Sequence, residues 1–361
     1  MNKLFPTAVI GSMPRPKYIQ DLINPELCKD INGPEHKKKL DSAIRFIIHL
    51  QESAGLDIIS DGEWRRLSYI GVIADLLNGF ERTTKDGLWW HTITKKISIK
   101  RKNLFAEEAK FLLENTNCKV KVAMPSPFLI AARMWDKEKS NNSYSSRYQF
   151  MQDLARYLRD EIIALKDTGV SVIQIDDPNI CLFVDERYRE KFDDPAKECE
   201  QAVETINEMI RGIDGINIAL HLCRSSGTRN RQKATKIPDG FVGKGGYDYI
   251  LPYLKKLNVS QLAMEFANSD AGDYSVLELF PKKVKIGFGC VDVSAGVTDT
   301  KETIIHRVEK ALNYVEKERL VLNPDCGFAP GSQAPVSLDE AYNKLKEMAN
   351  AAKILRGKYG S

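Results

Sequence analysis

The stretch "VSVIQIDDP", residues 170–178, is an almost continuous apolar run, rich in β-branched residues, that ends in two aspartates. Such a run is typical of a β-strand that is covered on both faces, as in a parallel sheet. Seven more runs of this kind follow the same pattern: "TAVIGS" (7–12), "LDIISDGE" (56–63), "KVKVAMPSP" (119–127), "NIALHLC" (217–223), "QLAMEFA" (261–267), "KVKIGFGCVD" (283–292) and "LVLNPDCG" (320–327). The sequence therefore predicts eight strands.

Helical patterns lie between most of these runs, at 36–55, 147–169, 195–212, 246–257, 300–317 and 337–356. The connection at 268–282 is the weakest, since only "YSVLELF" within it could form a short helix. Strands that alternate with helices over this length favour an α/β fold of the (β/α)₈ TIM-barrel type. A doubly wound open sheet is the alternative, but no Gly-rich dinucleotide fingerprint follows the first strand.

We expect residues 1–361 to form a single barrel that is the catalytic domain, with an insertion around 64–118. That segment is longer than one crossover connection needs. It contains "LWWHTITKKISIKRK" (88–102), which is interpreted as a hairpin inserted over the barrel mouth.

The composition excludes several other classes of protein. Of the 361 residues, 43% are hydrophobic and 28% are charged, as is usual for a globular protein. The net charge of +4 is small, so the basic runs are interpreted as solvated faces and no nucleic-acid partner is expected. No apolar run is long enough for a transmembrane helix, and the first residues do not resemble a signal peptide. Seven scattered cysteines suit a reducing compartment, which predicts a cytoplasmic protein without a membrane partner.

Polar residues collect where the strands end, which is where a barrel enzyme keeps its active site. "HLC" places His221 and Cys223 two residues apart, and residues at that spacing point to the same face of a strand. Taken singly, a cysteine or a histidine here is more often a small apolar or hydrogen-bonded structural residue. Taken together, His221, Cys223, Glu265 and Cys326 supply one imidazole, two thiolates and one carboxylate, which match the ligand types and number of a Zn²⁺ site.

The chemistry of these four residues indicates the reaction. Two anionic sulfurs and a carboxylate donate strongly to the metal, so the zinc activates water poorly and suits a further thiolate from a substrate. The pattern therefore predicts alkyl transfer to a thiol. The other five cysteines are interpreted as structural: Cys28, Cys118, Cys181, Cys199 and Cys290.

Six motifs together resemble the C-terminal catalytic half of cobalamin-independent methionine synthase and the zinc-dependent thiol alkyltransferases related to it, in a short single-barrel form. They are "IGSMPRP" (10–16), "DGEWRR" (61–66), "QIDDP" (174–178), "HLC" (221–223), "MEF" (264–266) and "NPDCG" (323–327). The resemblance extends over nearly the whole chain. It implies a TIM barrel, the same four zinc ligands, and homocysteine as the thiol substrate.

The resemblance also implies which residues hold homocysteine: Ile10, Ser12, Glu63 and Asp176. The two carboxylates would pair with the substrate ammonium. The alternative for Asp176 and Asp177 is that both cap the helix after their strand.

Two stretches depart from the family pattern. Asp292-Val293-Ser294 stands where the family has Asp-Ile-His with a proton-donating His, so Asp292 and Ser294 are the candidate catalytic residues. "FAPGSQAP" (328–335) replaces the basic residues that follow the family's Cys-Gly. The second, N-terminal barrel that helps the full-length synthase to hold folate is not expected in a chain of this length. These departures weaken the folate assignment.

The sequence thus predicts a zinc-dependent methyltransferase that converts homocysteine to methionine. The expected methyl donor is a methylcorrinoid, free or carried on a corrinoid protein, or methyltetrahydrofolate. Two alternatives stay open: another zinc-dependent thiol alkyltransferase or lyase, such as an epoxyalkane:coenzyme M transferase, and an inactive zinc-binding barrel.

Overall fold

The structure is a computed structural model that describes residues 3–28, 33–85, 88–225, 241–329 and 336–360. Seven strands form one parallel sheet in the order β1-β4-β5-β6-β7-β8-β9. Their bounds are β1 Ile58–Ile59, β4 Lys119–Pro125, β5 Val172–Asp176, β6 Asn217–Leu222, β7 Gln261–Glu265, β8 Lys285–Val291 and β9 Leu320–Pro324.

The N-terminal run joins the two edges of this sheet. Thr7 forms a parallel bridge with Leu322 in β9, and Ala8 forms one with Ile58 in β1. Residues 7–8 therefore occupy the eighth strand position and close the sheet. The eight runs selected from the sequence all coincide with these positions, and the predicted α/β barrel fold is confirmed.

An antiparallel hairpin lies outside the barrel sheet. It pairs β2 (Leu77–Lys85) with β3 (Leu88–Ile99), so the prediction that 88–102 alone forms a hairpin is wrong. The first strand, "LNGFERTTK", carries mostly polar residues and Gly79, which hides its strand character in the sequence. The hairpin packs on the helices after β4, because Tyr144 OH accepts a hydrogen bond from Ile97 N at 3.0 Å and Ser140 Oγ donates to Ile93 O at 2.8 Å.

Thirteen α-helices are present in the described ranges. They are α1 Lys17–Ile23, α2 Pro34–Ala54, α3 Ile73–Leu76, α4 Leu104–Glu114, α5 Pro127–Met134, α6 Lys137–Ser140, α7 Arg147–Thr168, α8 Pro178–Leu182, α9 Glu186–Arg189, α10 Pro195–Ile210, α11 Leu251–Leu254, α12 Lys301–Ala311 and α13 Leu338–Tyr359. Short 3₁₀ helices occupy Ser269–Ala271, Tyr274–Leu279 and Lys317–Arg319.

Local signals explain where the long helices begin and end. Ser146 caps α7 by accepting a hydrogen bond from Gln149 N, and Gly169 ends the helix with a φ of 89°. The helix expected over 246–257 is instead only α11, because the glycines that precede it favour turns over helix.

The helices bury their apolar faces against the outside of the sheet. Polar side chains occupy part of the barrel interior, including Lys121, Gln174, Gln261 and Asn323, all at most 2% exposed. Over the described ranges, the helices are all too short or too polar to cross a membrane.

Candidate metal and substrate site

The parallel register brings the candidate residues to one end of the barrel. Asp176, the last residue of β5, pairs with His221 in β6. His221 in turn pairs with Ala263 in β7, and Glu265 ends that strand. Because the carboxyl ends of parallel strands meet at one edge, the side chains predicted from separate motifs converge there.

Three of the four predicted metal ligands form one cluster. The candidate ligand atoms of His221, Cys223 and Cys326 all lie within 4.8 Å of one another, and all three residues are buried. The two Sγ atoms are 2.9 Å apart. Ser225 N donates a hydrogen bond to Cys223 Sγ at 3.2 Å, which favours a negatively charged sulfur.

His221 is held so that one ring nitrogen is left for a ligand. Nδ1 lies 3.1 Å from Asp176 Oδ1, and the buried Nε2 has no hydrogen-bond partner among the described residues. Burial lowers the pKa of His221, but hydrogen bonds with Asp176 and Cys223 outweigh it and raise the pKa to about 10. A carboxylate on one ring nitrogen, with a metal ion in place of the proton on the other, is the arrangement expected of a metal-binding histidine.

The two buried thiols also favour the binding of a cation. The hydrogen bond with Cys326, and then burial, raise the pKa of Cys223 well above its usual value. Two buried thiolates side by side are costly without a positive charge between them, and a soft metal ion supplies that charge. The donor set of one imidazole and two thiols therefore fits zinc.

Glu265 lies outside this three-residue cluster. It is fully buried, and its Oε1 accepts a hydrogen bond from Arg224 N at 2.9 Å. Asp325 draws the ends of β7 and β9 together, because its Oδ1 accepts from Phe266 N and Ala267 N at 2.9 and 3.0 Å. Glu265 directly precedes Phe266 and Cys326 directly follows Asp325, so the two candidate ligands flank this contact.

Glu63 follows β1 and has a strained backbone conformation. Its φ of 59° lies in the left-handed region that favours glycine. A Cβ added to Gly11 would lie 2.5 Å from Glu63 Oε1, so any larger residue there would displace the Glu63 carboxylate. Glu63 Oε2 is buried without a partner in the described part of the chain. Burial raises the pKa of Glu63 to about 7, with Arg66 opposing and Asp176 reinforcing the shift.

Two buried arginines hold the loop that carries Glu63. Arg15 Nη2 donates to Glu63 O at 2.7 Å, and Arg66 Nη1 donates to Ala123 O at 2.7 Å. Arg66 also forms an ion pair with Glu108 at 2.6 Å. The arginines therefore fix the backbone around Glu63 from both sides of the loop.

The structure separates the roles of the two aspartates that end β5. Asp177 caps α8, since its Oδ1 accepts from Ile180 N at 3.0 Å and its Oδ2 accepts from Ser126 Oγ at 2.6 Å. Asp176 does not cap that helix. Its Oδ1 instead accepts from Gln174 Nε2 at 2.8 Å and contacts His221.

Ile10 and Ser12 follow the bridge residues Thr7 and Ala8 of the N-terminal run. Ser12 O accepts from Phe328 N at 2.9 Å, and Ser12 Oγ accepts from Ala329 N at 3.3 Å. A Cβ on Gly327 would lie 2.2 Å from Ser12 Oγ, so the residue after Cys326 must be glycine for this approach. Ile10 O accepts from Gln174 Nε2 at 2.8 Å.

Asp292 and Ser294 lie just beyond the end of β8. Asp292 Oδ1 accepts from Ser294 N at 2.7 Å. Lys344 from α13 donates to Asp292 O and Ser294 O at 2.7 and 2.8 Å. The C-terminal helix thus fixes this strand end, and the structure records no direct hydrogen bond from either described side chain to the three-residue cluster.

Several residues of the site were not selected from the sequence. Partial burial, together with the charges of Cys223 and Asp176, raises the pKa of Tyr69. Arg224 is fully buried over the Tyr247 ring, 4.4 Å from its centroid. Arg224 directly follows "HLC", so its position next to a motif could have marked it as a site residue. Tyr69 lies in a long connection without such a motif beside it.

A closed parallel α/β barrel with a buried imidazole and two thiols at the carboxyl ends of its strands is a barrel enzyme with a candidate metal centre. The chain belongs to the family described as the catalytic domain of cobalamin-independent synthase, whose sequence model matches residues 5–354. It is accordingly a methyltransferase, as the resemblance implied.

Relatives and solved structures agree with this family. The chain is 30% identical over 361 residues to a methionine synthase of Pyrococcus abyssi and 29% identical over 365 residues to that of Sulfurisphaera tokodaii, with 98% of this chain and 93% of each relative covered. A B12-independent methionine synthase from Shewanella sp. W3-18-1, solved with selenomethionine, is 25% identical with a TM-score of 0.79 and 98% of both chains covered.

Proposed function

We propose that the protein is a zinc-dependent methyltransferase that methylates the thiol of homocysteine to form methionine. One observation carries the proposal: a ring nitrogen of the buried His221 lies within 4.8 Å of two thiols, while Asp176 holds Nδ1 and the buried Nε2 has no partner in the described ranges. The relatives named methionine synthase, and the selenomethionine in the Shewanella structure, support the choice of substrate.

The proposed ligands are His221, Cys223 and Cys326, with Glu265 as the fourth. Glu265 is supported by its burial at the end of the neighbouring strand and by the contact of its Oε1 with the residue after Cys223. Zinc bound there would lower the pKa of a substrate thiol, so that a nucleophilic thiolate exists at neutral pH.

The amino-acid part of homocysteine would lie on the opposite side of the site. Glu63 and Asp176 would pair with its ammonium group, because Glu63 Oε2 is buried without a described partner and both carboxylates lie at the same strand ends. Ile10 and Ser12, in the N-terminal run, would hold the other polar atoms of the substrate. Such pairing orients the sulfur for in-line attack on a methyl group.

We propose that Asp292 and Ser294 take part in the proton transfer that accompanies methyl transfer. As the new carbon–sulfur bond forms, the bond between the methyl group and its donor breaks, and the thiol proton passes to solvent or to the leaving group. These residues stand at the end of β8 in place of the family's histidine, and Lys344 keeps their backbone in place.

The proposed methyl donor is a methylcorrinoid, with methyltetrahydrofolate as the second candidate. The residues that follow Cys326, Gly327 to Ala329, are buried and uncharged, whereas a polyglutamate tail needs cationic partners. Two basic residues that follow the hairpin already have partners, since Lys100 Nζ donates to Ala74 O and Arg101 pairs with Glu107. The family description, cobalamin-independent, favours the folate donor, so both are tested together.

The test combines the zinc-loaded protein with homocysteine and, in parallel, methylcobalamin, methyltetrahydrofolate polyglutamate and S-methylmethionine. Methionine is quantified by mass spectrometry, with chelator-treated protein as the control. We expect methionine formation that depends on zinc, fastest with methylcobalamin. Turnover with coenzyme M but not homocysteine would support the other alkyltransferases, and no thiol-dependent turnover would support an inactive zinc-binding barrel.

Two further expectations belong to this proposal. Residues 1–361 would act as one catalytic barrel, with the segment around 64–118 as an insertion that includes the hairpin. The enzyme would be cytosolic. All seven cysteines lie in the described ranges without a disulfide, which supports a reducing compartment.

A further inference from the structure

Lys121 is a buried lysine in the barrel interior below the site. It lies in β4 and is 1% exposed. Its ammonium donates hydrogen bonds to Val9 O at 2.7 Å and to Gln174 Oε1 at 2.8 Å. Burial lowers the pKa of Lys121 to about 8, against the opposing effect of Asp176, so the side chain keeps its charge at neutral pH. A buried charge of this kind is costly and calls for a specific role.

The contacts continue from Lys121 towards the candidate metal cluster. Gln174 Nε2 donates to Asp176 Oδ1 and to Ile10 O, each at 2.8 Å. Asp176 Oδ1 then lies 3.1 Å from His221 Nδ1. The side chains form a continuous chain in the order Lys121, Gln174, Asp176 and His221.

Lys121, Ile10 O and Asp176 together set which way the Gln174 amide points. An ammonium group can only donate, so the amide oxygen must face Lys121 and the amide nitrogen must face Asp176. With the amide reversed, its oxygen would face a carboxylate that can only accept, and both would lose their partner. Lys121 therefore helps to hold the Asp176 carboxylate, although it lies two contacts away from Asp176 and three contacts away from His221.

We propose that Lys121 is a positioning residue that, through Gln174, holds the Asp176 carboxylate between the substrate ammonium and His221. The inference rests on the proposed function for its substrate part. Its metal part concerns only the support of His221 Nδ1, which outer-shell partners of metal ligands provide in general.

The competing explanation is that Lys121 only fills the barrel interior and holds the N-terminal run in place through Val9 O. The two explanations predict different results when the substitutions of Lys121 and Asp176 are combined. If Lys121 acts through Asp176, its removal has no further effect once the Asp176 carboxylate is gone. If it only stabilises the barrel, its effect is the same in both backgrounds.

The experiment uses Lys121→Met, Asp176→Asn and the double variant, with Lys119→Met as the matched control on the exposed start of the same strand. Zinc affinity is measured by chelator competition, and methionine affinity by calorimetry. Gln174→Glu is the second variant, since it keeps a partner for Lys121 while it removes the donor to Asp176. Thermal unfolding checks that each protein is folded.

We expect Lys121→Met and Gln174→Glu each to weaken zinc binding and methionine binding about tenfold, and Lys119→Met to change neither. Adding Lys121→Met to Asp176→Asn should change both affinities less than twofold. An equal loss in both backgrounds, or unchanged affinities in folded Lys121→Met and Gln174→Glu, would overturn the inference. If the parent protein binds no methionine, the proposed function fails, while the zinc measurement still decides the role of Lys121.

Discussion

The two sides of the barrel mouth are constructed differently. On the sulfur side, made of His221, Cys223 and Cys326, the candidate ligand atoms lie within 4.8 Å of one another. On the carboxylate side, made of Glu63 and Asp176, the oxygens are held by neutral or basic neighbours or have no partner in the described ranges. The sulfur side therefore fits a single ion, and the carboxylate side fits a cationic group of a larger ligand. Asp176 belongs to both, because it also contacts His221.

The largest effect on zinc binding should come from removing a thiol from the sulfur side. Cys326→Ser removes one of two buried thiols that face each other at 2.9 Å. The loss of a ligand should cost more zinc affinity than the roughly 100-fold that the loss of an outer-shell partner can cost. We expect the parent protein to carry about one zinc per chain, and the variant to retain almost none after dialysis and to form no methionine.

Cys118→Ser is the matched control for this change. Cys118 immediately precedes β4, at the opposite end of the barrel from the site, and its Sγ lies 3.6 Å from Leu56 O. Its zinc content, measured by plasma emission spectrometry, should equal that of the parent. Equal zinc in Cys326→Ser and the parent would show that the sulfur side is not the metal site.

The next effect should come from Asp176, the residue that the two sides share. Asp176→Asn leaves a substrate ammonium without its buried partner, which typically costs about 2–5 kcal/mol, or at least about 30-fold in KM for homocysteine. Because Asp176 also supports His221 Nδ1, zinc affinity should fall about tenfold while the protein still fills with zinc at saturation. Steady-state kinetics and chelator competition measure the two effects. A change in zinc affinity without a change in KM would assign Asp176 to the sulfur side alone.

The sequence predicted the sulfur side better than the carboxylate side. Imidazole and thiol groups at strand ends have few common roles together, so residue type and position alone singled out His221, Cys223 and Cys326. The strand count also followed from apolar runs. The hairpin partner β2 could not be predicted, because its residues are largely polar and its strand conformation depends on pairing with β3.

The carboxylate side depends on contacts that no sequence pattern records. Nothing in "QIDDP" shows that Asp176 turns towards His221 while Asp177 caps α8. Lys121 appears in the sequence as one of several lysines near the start of a strand, and only the closed barrel shows it to be buried. Neutral and basic partners of a site carry no distinctive spacing, so their roles emerge only from the fold.

A smaller effect should appear in the pH dependence of ligand binding on the carboxylate side. Burial raises the pKa of Glu63 to about 7, and only the ionised form attracts an ammonium group. Methionine affinity should therefore increase about tenfold as the pH rises from 6 to 8, because the ionised fraction of Glu63 rises by about that factor. Methionine is the better probe, since it has no thiol that titrates. In Glu63→Gln, calorimetry should find weaker binding without this dependence. The same pH slope in both proteins would remove Glu63 from the binding site.

The smallest effect should come from Asp177, the neighbour of Asp176 that points away from both sides of the site. Its carboxylate caps α8 and accepts from Ser126 Oγ, and an asparagine keeps an oxygen that can accept from Ile180 N. Asp177→Asn should therefore lower the free energy of unfolding by less than about 1 kcal/mol, which is the usual cost of losing a helix cap altogether, as measured by urea denaturation. Zinc affinity and KM for homocysteine should stay within twofold of the parent, because Asp177 contacts neither a candidate ligand atom nor the Glu63 carboxylate in the described ranges. A loss of binding as large as that of Asp176→Asn would mean that the two aspartates act as one unit, and the division of the barrel mouth into two sides joined through Asp176 alone would be wrong.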